Sequence, residues 1–339
     1  MKRLIALAAS AVLVLAFFAS CGKQGNSNGK LVIYSPNTES IVNAIIPRFE
    51  AASGVKVDII SAGTGEIWKR IASEKNNPNA DLVWSGQYPH YKPELLETYV
   101  SIHNDEIMPQ YRNIDGTMTP FCLDGAILAV NSNLIGDIRV ESYADLLNPA
   151  LKGKMIIGDP TNSGSAFQQL INILTVIGGN DYTSPDNKGW EYLRQLLVQI
   201  DGKIGQSSST VHKGVADGEY TVALTYEDPV ISYIRDGAPV RAVYPTEGVS
   251  FQPSLAGIIK DCKNLDNAKK FIDYIVSKEG QDIIGTELTI RPIRADAQLA
   301  SYMKPLSEIN IAHDDFIKAS EDKLKILELY KDIVTSLQE

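Results

Sequence analysis

Three observations predict an α/β chain built as two lobes. Residues 31–84 alternate short apolar runs with helix-period segments, the pattern of a βαβ unit with a parallel sheet. A second alternation of the same kind begins at Met155, after an intervening stretch of different character. The 339 residues also exceed what a single hydrophobic core usually fills.

The elements follow in order. Leu31–Tyr34 is a short apolar strand ahead of the turn-forming Ser35-Pro36-Asn37, and Ile41, Ile45 and Phe49 then recur at helical spacing up to Gly54. Val55–Ile60 reads as a second strand, Thr64-Gly65 opens a helix carrying Ile67 and Ile71 on one face, and Ala80–Trp84 gives a third strand. Cys122–Val130 is a long strand-like stretch. Met155–Gly158 is a buried strand that leads through Ser163-Gly164-Ser165 into an apolar helix. Trp190–Ile200 is amphipathic, Ser207–Asp217 is a loop with a short helix, and Thr221–Thr225 is a strand running into Tyr226-Glu227-Asp228-Pro229. Leu255–Ile259 is a further strand, followed by helices at 266–277, 279–285 and 313–336. The simplest assembly places 31–120 and 258–305 in one lobe and 121–257 in the other, with 306–339 as a C-terminal helical segment.

Composition narrows the function. The chain has 41 acidic and 32 basic residues, a net charge of −9, and no long basic run, which disfavours nucleic-acid binding. Three cysteines make no disulfide framework and no CxxC pair, and the four histidines lack HExxH spacing, so no resident metal or other cofactor is expected.

The first residues read as an address. Lys2 and Arg3 precede an apolar run from Leu4 to Phe18, too short for a membrane span and suited to a signal peptide over residues 1–20. Ala19-Ser20-Cys21 resembles a bacterial lipobox, with Phe18 where Leu is usual. Cys21 is therefore the expected lipidation site, and residues 21–30 a flexible tether. An exported protein anchored to a membrane by lipid is the expectation. An ordinary signal peptide cut nearby is the alternative.

In sheets of this kind ligands sit beyond the carboxyl ends of the strands. Hydroxyls, glycines and small residues collect there: Ser35 and Thr38 after the first strand, Thr64 and Gly65 after the second, Ser85 after the third, and Ser163, Gly164, Ser165 and Ala166 before the apolar helix. Free N–H groups at such helix starts favour an anion, although plain N-cap turns look the same. His212 in another hydroxyl-rich segment, Tyr226 and Glu227 at a strand end, and Asp124 in an apolar stretch complete the candidates; surface exposure or helix capping would explain them equally well. Tyr34 and Trp84 are expected in the core. Catalysis has little support. There is no GxSxG elbow, and a Ser165/His212/Asp228 triple can be written for almost any chain of this size.

Five segments carry a resemblance: LVIYSPNTES (31–40), SAGTGEIWKRIASEKNNPNADLVWSG (61–86), DPTNSGSAF (159–167), TVHKGVADGEYTVALTYEDP (210–229) and LAGIIKDCKNLDNAKKFIDYIVSKEGQ (255–281). In this order they resemble the periplasmic substrate-binding proteins of ABC importers grouped as extracellular solute-binding family 1, in the cluster that holds ferric-iron binders and AfuA-type sugar-phosphate binders. The resemblance implies the type II periplasmic-binding-protein fold, two hinged lobes with the ligand between them and crossovers near 121–126 and 255–259. It also implies a monomer that hands a small solute to a membrane permease. Ferric binders of the cluster usually place an adjacent Tyr pair where this chain has Tyr226-Glu227, a His or Gln where it has Thr38, and a Glu where it has Gly86. The SGS turn is intact. A small phosphorylated anion such as a hexose phosphate is therefore the expected ligand, met by His212 and Glu227 at its hydroxyl end. Ferric iron is the alternative within the class, and a secreted Ser/His hydrolase the alternative outside it. The resemblance also places Cys122 and Cys262 near adjacent crossover strands, where a disulfide is possible in an oxidising compartment.

Overall fold

In a computed structural model the described residues are 29–84, 92–113 and 115–337. Cys21, residues 1–20, most of the 21–30 segment and Ser85 lie outside them. The chain forms β1 (Leu31–Ser35), α1 (Glu39–Ser53), β2 (Val57–Ser61), α2 (Thr64–Ser73), β3 (Leu82–Trp84) and β4 (Thr119–Asn131). There follow β5 (Met155–Gly158), α3 (Gly164–Gly178), α4 (Lys188–Ile200), β6 (Ile204–Gly205), α5 (Ser208–Ala216), β7 (Val222–Tyr226), α6 (Glu227–Arg235) and β8 (Val240–Val243). β9 (Phe251–Ile258), α7 (Leu265–Val276), α8 (Lys278–Glu287), β10 (Arg291–Pro292), α9 (Phe316–Glu321) and α10 (Lys323–Ser336) complete it.

The strands run in the order β2-β1-β3-β9-β4-β7-β5-β6, with β8 and β10 also paired to β4. β4 is the join. Its first half, through Gly125, pairs with β9, and its second half, from Ala126, pairs with β7 and β8. β3 is antiparallel to β9, and β9 to β4, so β3 points the same way as β4; β7 is antiparallel to β4 and points back. The parallel strands of the two lobes therefore aim their carboxyl ends at each other across Gly125 and Ala126. This is where a ligand cleft belongs.

The second crossing lies earlier than the sequence suggested. β9 starts opposite Gly125, and Ala126 N–H donates to Ser250 O at 3.1 Å, so 255–258 sits inside the first lobe's sheet. A third crossing follows. Residues 310–312 pair with Val249, and α9 and α10 then pack through Ala319, Ile326, Tyr330 and Ile333 onto the second lobe's core.

Burial explains the order of elements. Ile45 and Phe49 on α1 and Phe271 and Ile275 on α7 meet beneath β1, with the Phe49 and Phe271 rings 5.0 Å apart edge to face. On the other side of β1, Tyr34, Ile67, Trp68 and Ile71 form a smaller cluster with Leu96 and Leu255. Trp84 and Tyr34 are fully buried, Trp84 against Phe271 and Phe121, and Tyr34 donates to Glu74 at 2.9 Å.

Cys122 and Cys262 are both free thiols, contrary to the disulfide expectation. Cys122 pairs with Ser254 in the sheet, while Cys262 lies beyond the end of β9 at Ile258. At roughly 3.3 Å per strand residue that separation is well beyond the ~7 Å Cα limit for a bridge.

Candidate functional site

β1, β2, β5, β6 and β7 each turn at the carboxyl end into a helix start. In the first lobe these are Thr38 ahead of α1 and Gly63 ahead of α2; in the second they are Ser163 ahead of α3, Ser207 ahead of α5 and Tyr226 ahead of α6. Two carry serine caps: Ser163 Oγ accepts from Ala166 N–H at 3.3 Å and Ser207 Oγ from Thr210 N–H at 3.2 Å. The α3 and α5 starts are neighbours, joined by Asn162 Nδ2 donating to Gln206 Oε1 at 3.3 Å, and Gly158 lies against both Ala166 and Val211.

A cleft of about 530 Å³ opens between the lobes. The first lobe contributes Thr38, Ser40, Asn43 and Arg48 from around α1, with Glu287 at the end of α8 and Thr289 just beyond it. The second contributes His212 from α5 and Asp228, Ser232, Tyr233 and Arg235 from α6. Hydroxyls, a histidine, two carboxyl groups and two guanidinium groups thus face one another across the lobe boundary. Arg48 Nη2 donates to both Glu287 carboxylate oxygens at 2.8 Å, and Arg235 reaches Ser232 at 3.1 Å and Asp236 at 3.0 Å.

His212 Nδ1 is 3.1 Å from the Tyr233 hydroxyl, and its ring meets Tyr226 edge to face at 6.0 Å. Burial holds its pKa below the ordinary histidine value, so it is neutral near pH 7 and able both to donate and to accept. Asp124 Oδ1 accepts from the N–H groups of Glu227 at 3.1 Å and Asp228 at 3.3 Å, so this carboxyl caps α6 from the crossover strand. Its pKa is pushed well above the ordinary carboxyl value, first by burial and then by Asp228 and Glu227 beside it. Burial also raises Asp228, against the opposing effects of the Thr289 hydroxyl bonded to it and of Arg235.

Several expected contacts are spoken for. Ser35 is fully buried; its hydroxyl donates to Trp84 O at 2.7 Å and accepts from Asn37 N–H at 3.1 Å, which locks the β1 turn and leaves nothing for a ligand. Glu227 is the larger correction. It is 1% exposed and accepts from Arg291 Nε and Nη2, both at 2.6 Å, and from the Tyr244 hydroxyl at 2.5 Å. It joins the two lobes and does not line the cleft; its neighbour Asp228 does. The Ala166 N–H is taken by Ser163, whereas Gly164 is exposed and Ser165 half-buried at the same helix start. Thr38 and Gly65 are exposed and Thr64 is half-buried, with Thr38 Oγ1 2.8 Å from Ser40 Oγ. The formal triad is not assembled: Ser165 bonds Ser163, His212 meets Tyr233, and Asp228 meets Thr289.

Sequence reasoning missed Ser40, Asn43, Arg48, Ser232, Tyr233, Arg235 and Thr289. Tyr233 and Ser232 were within reach, since helical spacing from Asp228 puts the positions near 232 on its face. Thr289 carried no local signal. Among the described residues no group of three or more His, Cys, Asp or Glu gathers as a metal site.

Two α/β lobes sharing β4, with helix starts at the strand ends and a polar cleft between them, are the architecture of a solute-binding protein. The match bears this out: residues 31–286 fit the model of the bacterial extracellular solute-binding proteins, and the chain belongs to that family. Periplasmic AfuA from Actinobacillus pleuropneumoniae, solved with fructose-6-phosphate bound, superposes with a TM-score of 0.75 at 27% identity over 91% of this chain and 99% of that one. Iron uptake protein A1 of Synechocystis sp. is 26% identical over 79% of this chain and 76% of its own length. A putative 2-aminoethylphosphonate-binding periplasmic protein of Salmonella typhimurium is 22% identical over 73% and 72%. The chain is thus a periplasmic substrate-binding protein of an ABC importer, and these relatives are binding proteins rather than enzymes. Among the described residues no helix is long and apolar enough to cross a membrane.

Proposed function

We propose that the protein captures a small phosphorylated solute, a hexose phosphate or a related phospho-organic anion, and delivers it to its permease. The observation that carries this reading is the wall of the cleft. Hydroxyl groups, a neutral His212 and Asp228 suit the hydroxyls of a sugar, while Arg48 and Arg235, paired here with Glu287 and Asp236, meet an anion only by exchanging those partners for it. The phosphate rests on the amides at the start of α3, Gly164 and Ser165, beside α5 and its His212. Similarity to AfuA, whose structure holds fructose-6-phosphate, supports the same choice.

Binding closes the lobes about β4 and β9, with residues 31–125 and 251–305 on one side and 126–250 with the 310–337 segment on the other. The working form is a monomer, exported by the 1–20 segment and held to the membrane by lipid on Cys21. Cys21→Ala should release it from the membrane fraction.

The direct test is thermal melting with fructose 6-phosphate, fructose and ferric citrate. Ligand at ~100 times its dissociation constant stabilises the fold by about 2.7 kcal/mol, a shift of a few degrees at this size. A shift with the phosphate ester alone is expected. Tight ferric binding with a tyrosine-to-metal absorbance band, and no response to any phosphate ester, would overturn the reading in favour of iron.

A further inference from the structure

Helix α6 divides two hollows. Asp228, Ser232 and Arg235 face the ligand cleft, while Ile231 and Ile234, on another face, line a groove of about 450 Å³ beside β8. All five residues from Val240 to Tyr244 line that groove. Side chains alternate between the two faces of a strand, so a hollow that meets every residue in turn lies along the strand's edge.

The hydrogen-bond directions agree. Among the described residues β8 pairs only with β4, antiparallel, with Val130 opposite Arg241 and Leu128 opposite Val243. Ser132 N–H donates to Pro239 O at 2.8 Å, and this fixes the alternation. Arg241 and Val243 turn their backbone groups toward β4, whereas Val240, Ala242 and Tyr244 turn theirs away. The far side of β4 gives the same phase, since Asn131 N–H donates to Thr221 O at 2.9 Å in line with β7. Val240 N–H is used by Ala238 O at 2.8 Å. The Val240 carbonyl, both backbone groups of Ala242 and the Tyr244 N–H are left at an open edge, without a partner among the described residues.

The groove is cationic on a chain whose net charge is −9. Its opposite wall is Tyr302 and Lys304 of the first lobe, in a segment tied to α8 by Ala300 N–H donating to Gly285 O at 2.7 Å. Lys304 Nζ lies 5.9 Å from the centre of the Tyr244 ring, and Arg241 donates to a neutral acceptor, Val140 O, at 3.2 Å. Neither cation has a carboxylate partner among the described residues; Glu141, which also lines the groove, is taken by Arg139.

We propose that the β8 edge is a docking site for an extended, acidic segment of a partner protein, which joins the sheet as an added strand. Its backbone pairs with Val240, Ala242 and Tyr244, its alternate apolar side chains settle on Ile231 and Ile234, and its carboxylates meet Arg241 and Lys304. A second copy of this chain fits less well, because it would bring its own Arg241 and Lys304 into the same groove and set like charges side by side. A short edge bearing Pro239, Arg241 and Lys304 is also how a sheet guards against stray pairing, and the experiment separates a site from a blunted edge.

Binding to the full chain is measured by fluorescence anisotropy with a labelled peptide of about six residues that alternates glutamate and valine. Its controls are the same peptide N-methylated at every second residue, in both phases, and a peptide with lysine in place of glutamate. The acidic peptide should bind, less tightly as salt rises, and the lysine peptide should not. One N-methyl phase should lose at least about tenfold in affinity and the other should keep it, because only one edge of the added strand faces β8. Arg241→Gln combined with Lys304→Gln should weaken binding about tenfold. Ala242→Pro removes the outward N–H at an edge position where proline is tolerated, and should weaken it at least as much. Hydrogen exchange should show the Ala242 and Tyr244 amides protected by the peptide. No binding at millimolar peptide, equal binding of the lysine peptide, or equal affinity of the two N-methyl phases would each overturn the proposal. Concentration-dependent dimers in sedimentation that Ala242→Pro abolishes would assign the edge to a second copy and overturn it as well. If Ala242→Pro fails to fold, the two N-methylated peptides on wild type decide.

Discussion

Replacing Arg291 with methionine isolates the ion pair that ties the two lobes together. The guanidinium and the Glu227 carboxylate are each 1% exposed and share two hydrogen bonds at 2.6 Å. Methionine roughly matches the length of the arginine stem and retains contact with the Phe251 ring, over which the guanidinium lies at 5.3 Å. What is lost is the compensation of a buried charge. Removing one partner of such a pair costs ~3–5 kcal/mol, because the other is left in the interior with too few donors. Glu227 keeps the Tyr244 hydroxyl at 2.5 Å, which points to the lower end, about 3 kcal/mol. At roughly 2 °C per kcal/mol for a chain of this size, the melting temperature should fall by about 6 °C. Scanning calorimetry at pH 7 on wild type, Arg291→Met and the double variant with Glu227→Leu would measure it. The double variant should recover much of the loss, since a buried pair replaced by apolar side chains is often nearly neutral. If Arg291→Met melts within 1 °C of wild type, or the double variant is the sum of two large losses, then the pair is not the electrostatic tie described here.

Gly285→Ala should be destabilising by roughly 1–3 kcal/mol, because a methyl at this position would stand 2.0 Å from Gln298 O and backbone would have to move; chemical denaturation would show a lowered midpoint at unchanged slope. Alkylation after unfolding without reductant should label both Cys122 and Cys262, whereas in the folded protein buried Cys122 should resist. His212→Gln should lose less stability than wild type on acidification from pH 7 to pH 5. Burial lowers the His212 pKa, so the unfolded chain takes up a proton first and the fold weakens as pH drops through the ordinary histidine value. The same variant should weaken fructose 6-phosphate binding about tenfold in calorimetry by removing a hydrogen bond.

The alternation of strand and helix was legible because each buried face leaves a period in the sequence. Ile41, Ile45 and Phe49 announce α1, and Ile67 and Ile71 announce α2. Helix starts were legible for a related reason: strand ends are local, so Thr38 and Ser163 could be placed at helix starts from spacing alone, and Thr38 and His212 are candidates that line the cleft. Partnership across the chain was not legible. Nothing near Glu227 tells that Arg291 will arrive on β10 to take its charge, so a buried tie and a ligand contact look alike in the sequence. Ser35 misled in the same way. A hydroxyl at a strand end suits a ligand or a neighbouring carbonyl equally, and only the placement of Trp84 O decides between them. The cysteine pairing failed on register, where the few residues between the end of β9 and Cys262 carry the thiol out of reach.

The way β4 and β9 thread both lobes also sets the order in which the molecule can be assembled. Leu82 must find Ile258, and Thr119 must find Ala256, before the first sheet has its fourth and fifth strands. Closing so long a loop is entropically slow, and it is repaid only when both ends are in place. The second lobe's parallel pairs, β5 with β6 and β5 with β7, join much nearer stretches and can form while the first sheet still lacks β9. Folding should therefore begin in the second lobe and end with the first, leaving the exposed edge of β3 as the last vulnerable surface. A chain cut short before residue 251 would keep that edge open and aggregate through it.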